Sequence, residues 1–578
     1  MSRDCDLCVI GSGAGGGPPA YVAARAGYSV VVLEKGPWLA EGDFFKDEIA
    51  CCRRAVYQSD PRQEPQVVEG EREGGGWVGR STAESGRSLW NGNCVGGATN
   101  FMSGYFHRLK PVDFHLLSTF GPIAGANVAD WPISYADLEP YYARVEAEVG
   151  VSGRVVPHPH QEPRSTPDFP YPPVAEHGIA RLIDQACGEL GYHAIPTPRA
   201  ILPAAALGRD GCAYSGYCGS YGCATGAKGS SRAALLDRAV ATGRCEIRPG
   251  AMVSRLVSDR RGRVAYLEYL DGGGARRRVD ARVYVIACGA IETARLLLAS
   301  PGPRHPRGLA NGSGLVGRNL IFAGGGAGSG LLAYAGRDPR EVAALREVGP
   351  FINRALQDWY VIDDPAFGPA AKGGTIDFLH RPPAPIARAI RQTREGGRLV
   401  WGGPLKRRLE AHFAAGAGVK VEAYCDWLPH ADCFVTLDPQ VRDRWGLPVA
   451  RIRAAFHPHN LQVGWYLAAK GAEVLARMGA AEVVAFASGT PPANLVAGTC
   501  RFGSDPQTSV LDRDCRAHEV ANLFVTDGSF MPTGGSVPHT WTIYANAFRV
   551  ADRIIAQLGG RGAGATGRPP GRQAGRDG

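Results

Sequence analysis

Three glycines and one glutamate near the N-terminus have the spacing of a phosphate-binding turn. Gly11, Gly13 and Gly16 follow the apolar run Leu7–Ile10, and Glu34 ends the next apolar run. In such a turn the first glycine allows the tight bend, the second lets the backbone approach a diphosphate, and the third lets the helix pack against the strand. The diphosphate then lies at a helix N-terminus, where free N–H groups favour negative charge. The segment predicts a dinucleotide site with Glu34 on the adenosine ribose; the alternative is a glycine-rich turn in an ordinary α/β unit.

A second group of residues with chemical potential is the trio Cys212, Cys218 and Cys223. Three thiolates in one loop can hold an iron–sulfur cluster or a zinc ion. The alternative, which we favour, is a loop of reduced or disulfide-linked cysteines that braces the helix after it. The chain has 15 cysteines, an odd number, and several lie in predicted strands, as Cys5 and Cys8 do. This use of cysteine predicts mostly reduced thiols and a cytoplasmic protein.

Length and composition set the broad class of the protein. With 578 residues, 44% of them hydrophobic and 21% charged, the chain is long enough for two or more globular domains. The net charge is +9, but acidic and basic residues are interspersed, so no nucleic-acid partner is expected. No apolar run is long enough for a membrane span. Residues 559–578, rich in Gly, Pro and Arg, are predicted to be a disordered tail.

Elements that could position these residues occur in separated blocks. Strand and helix patterns of α/β type appear at both ends and near the middle, whereas residues 330–460 alternate polar and apolar positions as an antiparallel sheet does. We therefore expect an α/β plus α+β protein, in which a Rossmann-like nucleotide-binding domain is interleaved with an antiparallel-sheet substrate domain. The nucleotide-binding domain is predicted to comprise 1–108, 206–330 and 490–558, and the substrate domain with its cap 109–205 and 331–489.

Four segments in collinear order resemble the glucose–methanol–choline (GMC) family of flavoenzymes, and the resemblance extends over about residues 4–556. The segments are the glycine turn with Glu34, Val95–Asn100, Val283–Leu298 and Asn522–Asp552. Within the family, the motif from Asp130 to Tyr142 is most similar to the branch of sugar and sugar-acid dehydrogenases and pyranose oxidases.

The resemblance implies a bound FAD and a reaction. The reaction is oxidation of a hydroxyl group of a sugar, sugar acid, glycoside or related alcohol to a carbonyl, by hydride transfer to the flavin. The electron acceptor would be a quinone or a protein, and no membrane span is implied. The FAD-binding residues implied are Gly11, Gly13, Ala14, Gly16, Glu34, Lys35, Gly96, Gly97, Asn100, Met252, Val253, Ala287, Gly289, Asp527, Gly528 and Thr540.

The family places two catalytic residues over the flavin, and this chain matches one of them. His539 stands where the family has the second, a His or Asn, whereas Leu495 stands where it has the first, a histidine. Leucine cannot accept a proton. Either His539 acts alone as the base, which we favour, or His457 or His459 reaches the site, or alcohol oxidation is impaired. Asn494 would need a one-residue slip to fill the position.

Two alternative functions follow, one from Leu495 in place of the family histidine and one from the branch of the family that the chain resembles. One is an oxidase that tailors a natural product. The other is a flavoprotein that has lost alcohol oxidation and acts as a binding or electron-carrying subunit, for which Leu495 is the support. Attachment of the flavin through a histidine of the loop 95–101 is not expected, because that loop contains no histidine.

Overall fold

The structure is a computed structural model that describes residues 3–44, 48, 59–72, 74–85, 89, 92–368, 370–380, 384–489, 492 and 495–559. The predicted tail beyond residue 559 and Asn494 therefore lie outside the described residues. The strands, numbered in chain order, are β1 Cys5–Ile10, β2 Val30–Leu33, β3 Val67–Glu71, β4 Trp77–Ser81, β5 Ala194–Pro196, β6 Cys245–Arg248, β7 Met252–Ser258, β8 Val264–Leu270, β9 Arg276–Val279, β10 Ala281–Ile286, β11 Arg318–Ala333, β12 Arg354–Leu356, β13 Val361–Ile362, β14 Ala371–Lys372, β15 Gly374–His380, β16 Arg394–Glu395, β17 Arg398–Leu399, β18 Gly416–Asp426, β19 Cys433–Arg442, β20 Pro448–Ala454, β21 Ala481–Ala487, β22 Val496–Thr499 and β23 Leu523–Val525. The α-helices are α1 Gly17–Arg25, α2 Thr82–Ser85, α3 Leu116–Phe120, α4 Tyr135–Val145, α5 Ile179–Leu190, α6 Asp237–Val240, α7 Ala290–Leu298, α8 Pro339–Leu345, α9 Pro385–Arg391, α10 Gly402–Ala414, α11 Pro458–Arg477 and α12 Thr540–Leu558.

A parallel sheet with the order β23–β10–β1–β2–β6 forms the nucleotide-binding half of the molecule. Strand β1 lies at its centre, where Leu7 pairs with Val30 of β2 on one side and with Val283 of β10 on the other. The nearly continuous apolar runs of these strands are typical of a parallel sheet that is covered on both faces. Cys5 and Cys8 are buried free cysteines of β1, as their position in a predicted strand indicated.

A larger, mainly antiparallel sheet forms the second half, in the order β4–β3–β20–β19–β11–β18–β15–β12–β5, with β21 and β22 also on β11. Helix α11 packs on one face, where Leu467 joins the core that contains Val421 of β18 and Ile376 of β15. The fold class predicted from the sequence is confirmed, since a Rossmann-like parallel sheet and an antiparallel sheet alternate along the chain.

The elements expected from the sequence agree with the structure in part. Pro18 and Pro19 occupy the first turn of α1, where no N–H is needed, as expected. The helix expected after the cysteine loop begins as the π-helical segment Arg232–Leu236 before α6. Strands β3, β4 and β22 hydrogen-bond into the antiparallel sheet although they come from the segments assigned to the nucleotide-binding half. The domain boundaries therefore stay a prediction.

Candidate functional site

A cavity of about 1060 Å³ lies where the two halves of the molecule meet. Its walls come from the carboxyl ends of β1, β2 and β10, from the loop after residue 96, from the cysteine loop and from one face of β18. Ligand sites of roughly 300–1,000 Å³ hold drug-sized molecules, so this volume suits a large ligand. In open α/β sheets the ligand crevice lies outside the carboxyl ends of the strands, as it does here.

The three glycines of the turn differ in what surrounds them. A Cβ on Gly11, whose φ is +90°, would lie 2.4 Å from the Ala287 carbonyl oxygen, and one on Gly16 would lie 2.0 Å from the Gly11 carbonyl oxygen. Both glycines are therefore needed for packing. A Cβ on Gly13 would meet no atom within 4 Å, because that side of Gly13 faces the cavity, and Gly97 flanks the same opening. The cradle has the open approach to backbone that a diphosphate requires.

Glu34 is buried at the end of β2 and lines the cavity. Its carboxylate accepts hydrogen bonds from the Ser12 N–H at 3.1 Å, from the Ser12 hydroxyl and from the Gly36 N–H at 2.9 Å. Burial raises the pKa of Glu34. Ser12, which no motif singled out, also accepts from the Gly96 N–H at 2.9 Å and so joins the turn to the next loop. The neighbouring Lys35 lines the cavity too, but its ammonium is paired with Glu64.

Most of the implied FAD-binding residues line this one cavity, and three do not. Gly16, Gly96 and Asn100 lie behind the wall, where the Asn100 amide donates to the carbonyl oxygens of Val95 at 2.9 Å and Gly97 at 3.2 Å. Asn100 thus braces the loop. Those that line the cavity are Gly11, Gly13, Ala14, Glu34, Lys35, Gly97, Met252, Val253, Ala287, Gly289, Asp527, Gly528 and Thr540.

Asp527 fastens two parts of the wall together. One carboxylate oxygen accepts from the Gly289 N–H at 2.9 Å and from the Thr293 hydroxyl, and the other accepts from the Ser529 N–H at 2.8 Å and from its hydroxyl. Burial raises the pKa of Asp527. Its acceptor capacity is filled by protein groups, so the carboxylate positions the start of α7 and the Gly528 backbone at the cavity.

His539 lines the same cavity, immediately before α12. Its side chain is buried, with 1% relative exposure, and neither ring nitrogen has a hydrogen-bond partner in the structure. Burial lowers the pKa of the imidazole to about 4, so the ring is neutral near pH 7. A Cβ on Gly534 would lie 2.9 Å from Nε2, which shows how closely the loop encloses the ring. An unpartnered, buried, neutral imidazole can accept a proton from a bound ligand.

No second histidine joins His539 from the positions considered in the sequence. Leu495 lines the cavity, with φ +56°, whereas His457 and His459 do not line it. His457 instead begins α11, accepting from the His459 N–H, and its Nε2 lies 2.9 Å from the Ala124 carbonyl oxygen. The suggestion that one of these two histidines reaches the site is therefore wrong. His107, which follows the loop 95–101, lies with its Nε2 3.1 Å from Asp377 Oδ1.

Cys212, Cys218 and Cys223 line the cavity as free cysteines. Across the part of the chain that the structure describes, no group of three or more His, Cys, Asp or Glu side chains is arranged to hold a metal ion. Burial raises the pKa of Cys212 to about 11. Burial opposes ionisation of Cys223 as well, but the Lys228 ammonium and local hydrogen bonds outweigh it and lower its pKa. The trio does not fit an iron–sulfur cluster.

Lys228 is a residue that sequence reasoning missed. Its ammonium donates to the carbonyl oxygens of Asn100 at 3.2 Å, Cys218 at 3.1 Å and Tyr221 at 2.8 Å, tying the cysteine loop to the loop after residue 96. A lone lysine between strands carries no signal of such a role.

Comparison with known proteins decides the family. The N-terminal GMC oxidoreductase family model matches residues 72–322, and the C-terminal one matches residues 429–547. The chain is 32% identical to 6'''-hydroxyparomomycin C oxidase of Streptomyces lividus, over 96% of this chain and 92% of that protein. The chain belongs to the GMC oxidoreductase family. It is also 32% identical to 2-methyl-1,2-propanediol dehydrogenase of Mycolicibacterium austroafricanum, over 95% of each chain.

A solved structure supports the fold. Formate oxidase of Aspergillus oryzae, studied for modification of its FAD, superposes with a TM-score of 0.62 at 14% identity, over 96% of this chain and 99% of that one. As a member of this family, the chain is an FAD-dependent enzyme that oxidises a hydroxyl group. The residues present fit FAD, since Gly13 leaves the cradle open and the unpartnered His539 lines the same cavity. Among the described helices, none is both long enough and apolar enough to cross a bilayer.

Proposed function

We propose that the enzyme oxidises a hydroxyl-bearing carbon of a sugar or sugar-like polyol, with His539 as the side-chain base. Bound FAD supplies the hydride acceptor. The residues that hold FAD would be the cavity-lining glycines of the turn, Glu34 at the ribose, and the backbone around Gly289 and Gly528. The observation that carries the proposal is the imidazole of His539, which is buried, unpartnered and neutral in the wall of that cavity.

The roles of His539 and of the start of α12 follow from their positions. His539 takes the hydroxyl proton, so that the electron pair of the C–H bond can leave as hydride. The first N–H groups of α12, which have no acceptors within the helix, lie beside His539 and favour negative charge nearby. Burial of His539 keeps the imidazole neutral before the reaction, so that it is ready to accept the proton.

The similarity to an oxidase of a hydroxylated aminoglycoside and to a diol dehydrogenase supports a polyhydroxylated substrate. The same pair of relatives includes an oxidase and a dehydrogenase, so the acceptor is a separate question. We propose a quinone or protein acceptor, and stoichiometric peroxide with no turnover on artificial acceptors would contradict it.

The test is anaerobic mixing of the holoenzyme with a panel of sugars, amino sugars, sugar acids and diols while the flavin absorbance is followed. The proposal predicts that a polyhydroxylated member of the panel bleaches the flavin. The second candidate function, a flavoprotein without alcohol oxidation, is favoured by Leu495 at the cavity wall. It predicts that no member of the panel bleaches the flavin, whereas dithionite does.

A further inference from the structure

The wall of the cavity that β18 forms carries a row of polar side chains. Tyr424, Glu422 and Lys420 are alternate residues of β18, so they share a face of the sheet, and all three line the cavity. The residues between them, Ala423 and Val421, are buried on the opposite face. The row therefore faces whatever occupies the cavity.

The position of the row relative to His539 follows from the end of β18. Asp426, the last residue of that strand, accepts a hydrogen bond from the backbone of Gly535, in the loop that leads to His539. Glu422 lies four residues earlier, at roughly 13 Å along an extended strand. A substrate whose reacting carbon lies at His539 would therefore reach Glu422 only with a part remote from that carbon.

The carboxylate of Glu422 lies near two tyrosines of the cavity wall, Tyr424 and Tyr105. The Tyr424 hydroxyl donates to Glu422 Oε2 at 2.8 Å, and burial together with the charge of Glu422 raises the pKa of Tyr105. Burial and the charge of Glu422 raise the pKa of Tyr424 as well, as expected for a negative potential near these rings. A carboxylate beside phenol rings attracts an ammonium group through charge-assisted hydrogen bonds and cation–π contact.

The charged side chains near Glu422 do not prevent its carboxylate from binding a cationic ligand. Asp377 pairs with Glu422 in the register of β15 and β18, but its carboxylate is already engaged by His107 and Thr197. Lys420 Nζ lies 3.9 Å from Glu422 Oε1, with the two side chains 43% and 41% exposed, and such an exposed pair is weak.

A second positive charge, that of Arg199 against the Tyr105 ring, is held by other groups. The guanidinium of Arg199 lies 3.9 Å from the ring centre of Tyr105, and it donates to the Asn353 amide oxygen at 2.7 Å and to the Ser103 carbonyl oxygen at 2.8 Å. These contacts fix Arg199 in the wall behind the ring.

From these contacts we infer that Glu422, with Tyr105 and Tyr424, forms a subsite for an ammonium group, so that the substrate is an amino sugar. The inference rests on the proposed function and narrows its substrate class. It makes sugar acids poor ligands, because their carboxylate would meet Glu422. The unpartnered His539 in the same cavity indicates that a polar ligand belongs there.

The test uses calorimetry on the holoenzyme reduced with dithionite under anaerobic conditions, in which no alcohol can be oxidised. It measures equilibrium binding of the amino sugar paromamine and of its per-N-acetylated derivative, which carries no ammonium. In Glu422→Gln the dissociation constant of paromamine should rise about 10- to 100-fold, because a charged hydrogen-bond partner is lost. Binding of the acetylated derivative should change less than about twofold. Lys420→Met, a neighbour on the same strand, is the matched control and should not weaken paromamine binding.

Three results would overturn the inference. The first is that paromamine does not bind to the unmodified enzyme. The second is that Glu422→Gln weakens the binding of both ligands equally. The third is that gluconate binds more tightly than paromamine and that Lys420→Met weakens gluconate binding. FAD content and melting temperature of each variant report folding. If an uncharged sugar bleaches the flavin but paromamine does not bind, the proposed function stands and the ammonium subsite is refuted. If no alcohol bleaches the flavin, the proposed function itself is refuted.

Discussion

His539 is a weak base by virtue of its surroundings, and its weakness has a measurable consequence. Burial lowers its pKa to about 4, whereas an exposed histidine has a pKa of about 6.5. Because the neutral form accepts the proton, kcat/KM should stay constant down to about pH 5 and fall only as the pH approaches 4. An acidic limb with its midpoint near 6.5 would contradict this.

The same shift affects stability with a definite sign. Between the unfolded pKa near 6.5 and the folded value of about 4, the unfolded chain binds the proton more readily. The contribution of His539 to the free energy of unfolding is therefore complete above the unfolded pKa and is lost as the pH falls through this window.

Gly13 allows the cofactor cradle to be tested separately from the fold. An added Cβ would meet no protein atom within 4 Å but would project into the cavity. Gly13→Ala should therefore keep its melting behaviour as apoprotein and lose FAD, measured as the ratio of flavin to protein absorbance. Gly70→Ala, with equally open space outside the cavity, is the control and should keep its FAD. A flavin-replete Gly13→Ala would show that the diphosphate does not lie against this turn.

The element that carries His539 is the buried loop 531–539, and a buried ionic cluster holds it. Lys372 donates to the Ser536 hydroxyl, which in turn donates to the Gly373 carbonyl oxygen at 2.7 Å. The Lys372 ammonium lies 3.2 Å from Asp113 and 3.9 Å from Asp426, and all three side chains are buried. Burial raises the pKa of Asp426 to about 6. The cluster joins β14, β18 and the catalytic loop.

Removal of the cation from this cluster should be costly. Lys372→Met leaves two buried carboxylates without their partner, and breaking a buried pair costs about 3–5 kcal/mol. Chemical denaturation of the holoenzyme should show a loss of this size, whereas Lys470→Met, whose partner Glu473 is exposed, should change stability by less than about 1 kcal/mol. Equal effects of the two substitutions would contradict the account of the loop.

The elements differ in how far the sequence could predict them. The glycine turn and Glu34 were predictable because they lie in a local motif whose spacing follows from the chemistry, whereas the role of His539 was implied by the resemblance to the GMC family. The row Tyr424, Glu422 and Lys420 was not predictable, because its facing depends on the register of β18 with two distant strands. The Lys372 cluster likewise joins residues far apart in the chain, which no local pattern reveals.

At the scale of the whole molecule, the cavity lies between a nucleotide-binding sheet and an antiparallel sheet made of interleaved segments. Since FAD would contact the nucleotide-binding sheet, the 96–105 loop and the start of α12 together, its binding should stabilise both halves. Adding FAD to the apoprotein at 1,000 times its dissociation constant should raise the free energy of unfolding by about 4 kcal/mol. A melting temperature that does not depend on FAD would contradict a cofactor held across the two halves.

The central claim is that His539 alone takes the substrate proton although Leu495 replaces its family partner. The most direct measurement is the rate of anaerobic flavin reduction at saturating substrate in His539→Ala, with His539→Asn as a variant that keeps a polar side chain. The account predicts a fall of about 10²- to 10⁴-fold in both variants with FAD content unchanged. A rate within about twofold of the unmodified enzyme would show that another group takes the proton.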